Sequence, residues 1–288
     1  MDLSIIIVSW NTRQLLDDCL ASVSRETKSI SFEIFVVDNA SSDGSAEMVK
    51  GRYPQVRLIE NKKNAGFSAA NNQAAKVASG RYILFLNSDT VILDGALDKG
   101  VCLMDSRPEI AILGAKTFNG DMTHQKTVAP DPDLWAQIFL LLKVKYLFPK
   151  AKFIKNLQRA DFDYEKEGMI RGHTQGSFML ARREALEKVG LFDENFYIWF
   201  EEVDLCHRFT ETGYKILYSP EIKIIHRGGE SFKRVMTLKK QWMYNRSLFY
   251  YFRKNKPRWQ YYVLRLFEIP SLLLAMIAGT VKRLQRSL

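Results

Sequence analysis

Carboxylates close several apolar runs of this chain, and their neighbours decide what chemistry they could do. "FEIFVVD" ends in Asp38, "IIIVSWN" ends in Ser9 and Asn11, and "YILFL" runs straight into Asn87, Ser88 and Asp89. A lone Asp or Asn at a strand end can simply cap the next helix or make a turn. That reading accounts for Asp43 in "SSDGS". It accounts less well for Asp38 and Asp89 together, because parallel strands would bring both to one crevice. "FYIWFEEVDLCHRF" sets Glu201, Glu202 and Asp204 at the start of a helix, behind three aromatics. The helix dipole favours acids there. Glu201 and Glu202 nevertheless point in different directions, and Asp204 lies one turn from Glu201. An acid beside Trp199 and Phe200 holds its proton more tightly than one in water, as a general base needs. In "IIHRGGES", His226 sits between a strand and paired glycines, where it is either a ligand or a structural histidine.

The elements that must position these residues follow from hydrophobic periodicity. Through residue 115, near-continuous Val/Ile/Leu runs alternate with helix-length amphipathic segments. "LSIIIVSW", "FEIFVVD", "VRLIE", "RYILFL" and "IAILGA" read as strands, with helices between them. That rhythm predicts a doubly wound α/β unit, its mostly parallel sheet flanked by helices and its ligands at the carboxyl ends of the strands. "NKKNAGFSAANNQAA" places Gly66 before a helix start with Asn64 and Asn71 nearby. It matches neither a Walker A loop nor GxGxxG, which disfavours P-loop and dinucleotide chemistry, and a plain turn stays open for Gly66.

Residues 116–170 break the rhythm, with a loop at "TVAPDPDLW" and a strongly apolar helix over 134–154. "QGSFMLARREALEKVGLFDENF" then reads as strand and helix, "EEVDLCHRFTETGY" as a helix, and "KILYSPEIKIIH" as strand segments. Beyond about residue 231 only helices are expected. The predicted division is an α/β domain over 1–231, in two halves that meet at about residue 115, and a helical extension over 232–288.

The chain has 288 residues, is 47% hydrophobic and carries a net charge of +10. Nucleic acid, an anionic membrane or a phosphorylated substrate would each suit that charge. The segment 233–288 holds thirteen Lys and Arg against one acid, Glu268, so most of the excess sits at one end. Cys19, Cys102 and Cys206 show no CxxC spacing and read as reduced thiols of a cytosolic protein. The start "MDLSIIIVSW" reads as a strand rather than a signal peptide.

The ordered set "SIIIVSWN", "VVDNASSDGS", "NAGFSAANNQA", "LFLNSDT", "GSFMLARREAL", "FDENFYIWFEEVDLCHR" and "HRGGES" resembles the family 2 inverting glycosyltransferases of GT-A fold. It is closest to their bacterial rhamnosyltransferase-like branch. The resemblance implies that Asp38 meets the nucleotide base or ribose. Ser9, Asn11, Asn64, Gly66, Asn71, Asn87 and Ser88 complete the nucleotide-sugar set. Asp89 matches the last carboxylate of the family's DxD motif, which holds a divalent metal on the donor diphosphate. Asn87 stands where a first Asp would, so Mg²⁺ or Mn²⁺ rests on Asp89 with His226. The family's Glu-Asp-x-Asp appears as Glu201-Glu202-Val203-Asp204, which puts Glu202 in the place of the base with Glu201 as the alternative. The resemblance makes residues to about 115 the nucleotide-sugar-binding half and about 116–231 the acceptor-binding half of a GT-A catalytic domain, and Trp199 and Asp204 are assigned to the acceptor. The implied donor is a dTDP-deoxysugar such as rhamnose, or a UDP-sugar, and the implied acceptor a saccharide on a polyprenyl diphosphate.

In the tail, the apolar run Ile269–Val281 is short of the ~20 residues a spanning helix needs. With basic flanks it suits a helix lying on an anionic membrane, so the expected location is peripheral, on the inner face of the plasma membrane. Packing on the catalytic domain or in a homodimer is the alternative, and Leu134–Phe148 is a second candidate for lipid or acceptor contact. Two rival functions were open: a sugar-phosphate nucleotidyltransferase, which would carry a Gly-rich loop after the first strand, and a nucleic-acid-binding protein. "VSWNTRQLL" has no glycine, and no helix-turn-helix, zinc or RNP pattern is present, so no nucleic-acid partner is expected.

Overall fold

The computed structural model describes residues 1–144, 162–228 and 237–284. The strands are β1 (Leu3–Ser9), β2 (Phe32–Asp38), β3 (Arg57–Glu60), β4 (Tyr82–Asn87), β5 (Thr90–Leu93), β6 (Ile110–Phe118), β7 (His124–Gln125), β8 (Val128–Ala129), β9 (Gly168–Met169), β10 (His173–Thr174), β11 (Phe178–Arg182) and β12 (Lys215–His226). The helices are α1 (Arg13–Glu26), α2 (Ser45–Arg52), α3 (Phe67–Ala75), α4 (Ala96–Ser106), α5 (Leu134–Leu141), α6 (Arg183–Val189), α7 (Glu201–Glu211), α8 (Thr237–Asn255), α9 (Arg258–Arg265) and α10 (Glu268–Leu284).

One ten-stranded sheet has the order β3-β2-β1-β4-β11-β6-β12-β5, with β7 beside β6 and β9 beside β12. β1 to β4, β6 and β12 share one direction, while β5, β7, β9 and β11 oppose them. The expected α/β fold, a central sheet flanked by helices, is therefore present, with six of the ten strands running one way but a mixed set of pairings. Two apolar layers cover its faces, one built on Leu16, Leu20, Leu97 and Val101, the other on Ala70, Ala74, Leu205 and Phe209. Burial on both faces is why β1 and β4 are nearly continuous apolar runs.

Two departures matter for the site. After Asn87 the chain leaves the centre of the sheet and pairs β5 antiparallel to the far end of β12, with Thr90 opposite His226. "LNSDTVIL" is thus two strands on different parts of one sheet, and the polar cluster is the crossing between them. The apolar helix expected over 134–154 is observed as α5, and 145–161 lies outside the described residues. The expected loop at 127–135 contains β8, paired with β10.

The boundary expected at 231 also falls outside the described residues, but the helices after it do not stand apart. Leu248, Phe249, Tyr251 and Phe252 of α8 pack in a third core with Leu134, Leu141, Phe196, Phe200 and Val203. The thiols are free, Cys19 and Cys206 being buried.

Candidate active site

Sheet register brings the strand ends level: Ser9 pairs with Asp38, and Val8 with Asn87. Above them opens a cleft of ≈ 590 Å³, walled by Asn39, Asn64, Gly66, Asn87, Ser88, Asp89, Glu201, Glu202 and His226. α8 supplies the opposite wall with Lys239, Trp242 and Arg246. A second cavity of ≈ 590 Å³ lies behind, lined by Asp131, Asp133, Trp135, His173 and Tyr244. Trp199 and Glu202 stand in the walls of both.

Asp89 and His226 meet because β5 and β12 pair there. The Arg227 N–H donates to the Asp89 carbonyl at 3.0 Å, and His226 Nε2 is 3.3 Å from Asp89 Oδ1. Asn87 Nδ2 lies 3.3 Å from the same nitrogen, and Gln125 Oε1 is 2.8 Å from His226 Nδ1. Among the described residues no three His, Cys, Asp or Glu side chains gather as a metal cage. Asp89 and His226 would together offer two ligands. That set fits Mg²⁺ or Mn²⁺, which commonly takes one or two protein ligands and fills its remaining positions with substrate phosphates.

The two glutamates are positioned by an unusual entry to α7. Trp199 and Phe200 both hold left-handed backbone, φ 63° and 70°, a conformation that is costly for bulky residues and clusters at functional sites. Ser247 of α8 donates to the Ile198 carbonyl at 2.7 Å and holds this segment. Glu201 Oε2 and Glu202 Oε2 are buried without a partner, as is Oε1 of Gln175 in the same cleft lining. Burial raises the pKa of both glutamates, and for Glu201 the neighbouring Glu202 carboxylate raises it further, well above the ordinary value.

Gly66 explains why glycine is needed here rather than a generic turn. Its φ is +87°, and a Cβ would sit 2.7 Å from the Tyr197 ring and carbonyl. Its own carbonyl accepts from Asn39 Nδ2 at 3.1 Å, while the Tyr197 carbonyl accepts from the Phe67 N–H at 2.9 Å. Gly66→Ala is expected to destabilise the fold by about 1–3 kcal/mol from backbone strain alone, with donor affinity falling in parallel. Chemical denaturation and calorimetric nucleotide titration check this.

Several expected site residues do not line the cleft. Ser9 is fully buried and reaches it only through Thr12 Oγ1 to Ser88 Oγ, at 3.0 and 2.9 Å. Asn11 Oδ1 accepts from the Ser42 N–H at 2.7 Å, bracing one loop against another. Asn71 Nδ2 donates to the Phe67 carbonyl within α3 at 3.0 Å. Asp38 accepts from the Ser41 N–H at 2.9 Å but keeps Oδ1 buried and unpartnered, next to cleft-lining Asn39. Asp204, expected at the acceptor, lines neither cavity. It is 0% exposed and held by Arg208, Lys254 and Asn255 at 2.8, 2.9 and 2.9 Å. Its role there is to fasten α7 to α8.

Other wall residues were not anticipated. In the sequence Asn39 stands unmarked beside Asp38, and Lys239, Trp242 and Arg246 fall in the basic tail. Gln125 carries no signal in the sequence, since only the pairing of β7 with β6 brings it to His226.

The family model described as glycosyl transferase family 2 matches residues 4–190. The chain belongs to this family. A further model, glycosyl transferase family group 2, matches residues 163–285 and so takes in α8 to α10. This family 2 chain is 24% identical over 240 residues to the N-acetylglucosaminyl-diphospho-decaprenol L-rhamnosyltransferase of Mycobacterium tuberculosis, covering 80% of its own length and 77% of the relative. It is 33% identical over 193 residues to the poly(ribitol-phosphate) beta-glucosyltransferase of Bacillus spizizenii, covering 64% of itself and 30% of that chain. Among solved structures it is similar to a mannosyltransferase from Pyrobaculum calidifontis in complex with GDP-Man and Mn²⁺, with TM-score 0.60 and 16% identity, over 97% of this chain and 75% of that one. At that identity the likeness is one of fold, the GT-A fold. As a family 2 glycosyltransferase the chain transfers sugar, which sets aside the nucleotidyltransferase and nucleic-acid-binding alternatives.

Proposed function

We propose that the chain moves a sugar from a nucleotide diphosphate donor to a hydroxyl of a saccharide acceptor by a single displacement with inversion. The observation that carries this reading is the position of Glu202 in the walls of both cavities. A carboxylate between a donor site and an acceptor site can take the acceptor proton without leaving either. The donor occupies the cleft at the strand ends, with its nucleoside towards Asn39 and the free Oδ1 of Asp38 and its diphosphate towards Asn87, Ser88 and Asp89. The acceptor occupies the cavity with Trp135, Trp199 and Tyr244, whose faces suit sugar rings.

The acceptor oxygen attacks C1 of the donor sugar as its proton passes to Glu202, and the bond from C1 to the diphosphate oxygen breaks. Asp89 and His226 would hold Mg²⁺ or Mn²⁺, which when bound neutralises charge on the departing diphosphate. Lys239 and Arg246 face the same cleft and add fixed positive charge. Glu201, more deeply buried and confined to the donor cleft, stands beside the base rather than in its place.

Similarity to the decaprenol-linked rhamnosyltransferase supports a dTDP-deoxysugar such as rhamnose as the donor to try first, with UDP-sugars second, and a polyprenyl-diphosphate-linked saccharide as acceptor. Such a reaction belongs to cell-surface polysaccharide assembly on the cytoplasmic face of a membrane. The deciding experiment is turnover of a dTDP-, UDP- and GDP-sugar panel with Mn²⁺ and a synthetic polyprenyl-diphosphate acceptor, with the anomeric product read by NMR. Retention of configuration, or no transfer from any donor, defeats the reading.

The membrane half of this proposal rests on α9 and α10. Trp259, Tyr262, Leu266, Ile269, Leu273, Met276 and Ile277 are exposed along one face, Leu266 by 74% and Ile269 by 70%, with Arg258 and Arg265 beside them. So long an apolar stripe is rare on a free surface and suits an interfacial helix on anionic lipid. Among the described residues no single helix is long and apolar enough to cross a membrane, and the α9–α10 pair, bent by 43°, passes only when taken together. Leu266→Glu with Ile269→Glu is expected to abolish co-flotation with phosphatidylglycerol vesicles while sparing transfer to a water-soluble acceptor. Unchanged flotation sinks the membrane surface, and a dimer that becomes monomeric assigns the stripe to a second copy.

A further inference from the structure

The polar side chains of the β6–β7 turn form one hydrogen-bonded chain that ends at His226. The turn is closed by the Asn119 N–H to the Thr123 carbonyl at 2.8 Å and the Met122 N–H to the Asn119 carbonyl at 2.9 Å. At its tip the Asp121 carboxylate accepts from the Thr123 N–H at 3.0 Å and from its hydroxyl at 2.6 Å. An ionised carboxylate only accepts, and these two bonds hold the Asp121 carboxyl below its ordinary pKa.

The directions then follow one after another. The Thr123 hydroxyl has given its proton to Asp121, so its oxygen accepts from Asn119 Nδ2 at 2.9 Å. That orients the Asn119 amide and leaves its Oδ1 to accept from Gln125 Nε2, also at 2.9 Å. Gln125 Oε1 is thereby turned to His226 Nδ1 at 2.8 Å. A carbonyl cannot donate, so the imidazole proton sits on Nδ1. In the neutral ring the lone pair then lies on Nε2, which faces the cleft where Asn87 Nδ2 can donate to it and where Asp89 Oδ1 lies 3.3 Å away. A nitrogen lone pair and a carboxylate oxygen converging in this way are two donors for one cation.

We propose that the β6–β7 turn is a tautomer clamp: Asp121, Thr123, Asn119 and Gln125 hold His226 with its proton on Nδ1, so that Nε2 and Asp89 are both presented to the divalent cation. The clamp rests on the reading of Asp89 and His226 as the metal pair. Gln125 and Asn119 are positioning residues, touching neither donor nor acceptor. Outer partners of a metal-bound histidine act in this manner elsewhere, and their loss typically costs ~10–100-fold in metal affinity.

The test uses the metal-free full-length chain, ¹⁵N-labelled at its four histidines, with the His226 signal assigned by its absence in His226→Asn. Long-range ¹H–¹⁵N spectra are expected to report the Nδ1–H tautomer in the wild type. Gln125→Ala should show a mixed or reversed tautomer, with Mn²⁺ affinity in the presence of UDP reduced ~10–100-fold by titration calorimetry. Gln125→Glu, which still offers a carbonyl-type acceptor, should restore the tautomer. Circular dichroism and metal-free UDP binding verify that each variant is folded. An Nε2–H tautomer in the wild type overturns the clamp, as does Gln125→Ala with unaltered tautomer and Mn²⁺ affinity. A wild type that binds no Mn²⁺ with or without UDP overturns the metal reading itself and the clamp with it.

Discussion

Glu202→Gln is expected to transfer sugar about 10²–10⁴-fold more slowly than the wild type, the range for loss of a positioned general base. Donor affinity should stay near wild type, because the amide keeps the shape of the wall shared by the two cavities. The pH dependence follows from burial: both glutamates hold protons above the ordinary carboxylate range. Since a base must be deprotonated to act, the rising limb of kcat against pH should sit above that range in the wild type. In Glu202→Gln that limb should vanish with the activity. Stability should move the other way. Between the unfolded and the raised native pKa the native state keeps a proton that the unfolded chain has released, so stability present in acid is lost as pH rises through the native value. Gln has no proton to lose, and the variant should melt higher than the wild type at neutral and alkaline pH. Scanning fluorimetry from acid to alkaline pH, beside single-turnover transfer, reads both effects. Full transferase activity in Glu202→Gln removes it as base, and the same pattern in Glu201→Gln instead hands the role to its neighbour.

Asp89→Ala should abolish Mn²⁺-dependent donor binding, by more than the ~100-fold that changes around a metal's outer ligands reach. The loss should be specific. The Asp89 backbone carbonyl, which accepts from Arg227, survives the substitution, so the β5–β12 pairing and the fold are kept. Metal-free affinity for the nucleotide alone should change little if, as proposed, the nucleoside lies towards Asn39 and Asp38. Asp89→Asn, which keeps one oxygen but no charge, should fall between the two. Calorimetric titration of UDP and dTDP with and without Mn²⁺ separates these outcomes, and metal-dependent binding retained in Asp89→Ala would defeat the assignment.

How far the sequence was legible depends on the range of the interaction. Strand runs such as "IIIVS" and "YILFL" betray themselves because burial on both faces admits only apolar residues. The α/β class and the strand-end location of the site follow from that. Asn87, Ser88 and Asp89 were legible as polarity placed where an apolar pattern stops. Glu201 and Glu202 were legible as acids beside aromatics. The antiparallel insertion of β11 between β4 and β6 was not, since local pattern carries no strand direction. Asp204 misled for a related reason. An acid one turn from Glu201 looks equally functional in sequence, and only tertiary contacts with Lys254 and Asn255 reveal it as a fastener. Gln125 lay beyond reach altogether, because its partner is 101 residues away along the chain.

Helix α8 has a practical consequence for anyone who handles this enzyme. Its Ser247 hydroxyl braces the segment that turns Glu201 and Glu202 into the cleft, and its Trp242 and Arg246 are part of the cleft wall. The sticky stripe begins only at Trp259, one helix later. A shortened protein made to ease purification must therefore keep α8 whole. Because Leu264 of α9 is buried in the third core and Ser271 of α10 accepts from Asn245 Nδ2 at 2.7 Å, replacing exposed residues of the stripe is safer than removing it. A cut near residue 232, where the composition changes, would discard the α8 wall of the cleft along with the greasy tail, and any inactivity would be blamed on the missing membrane.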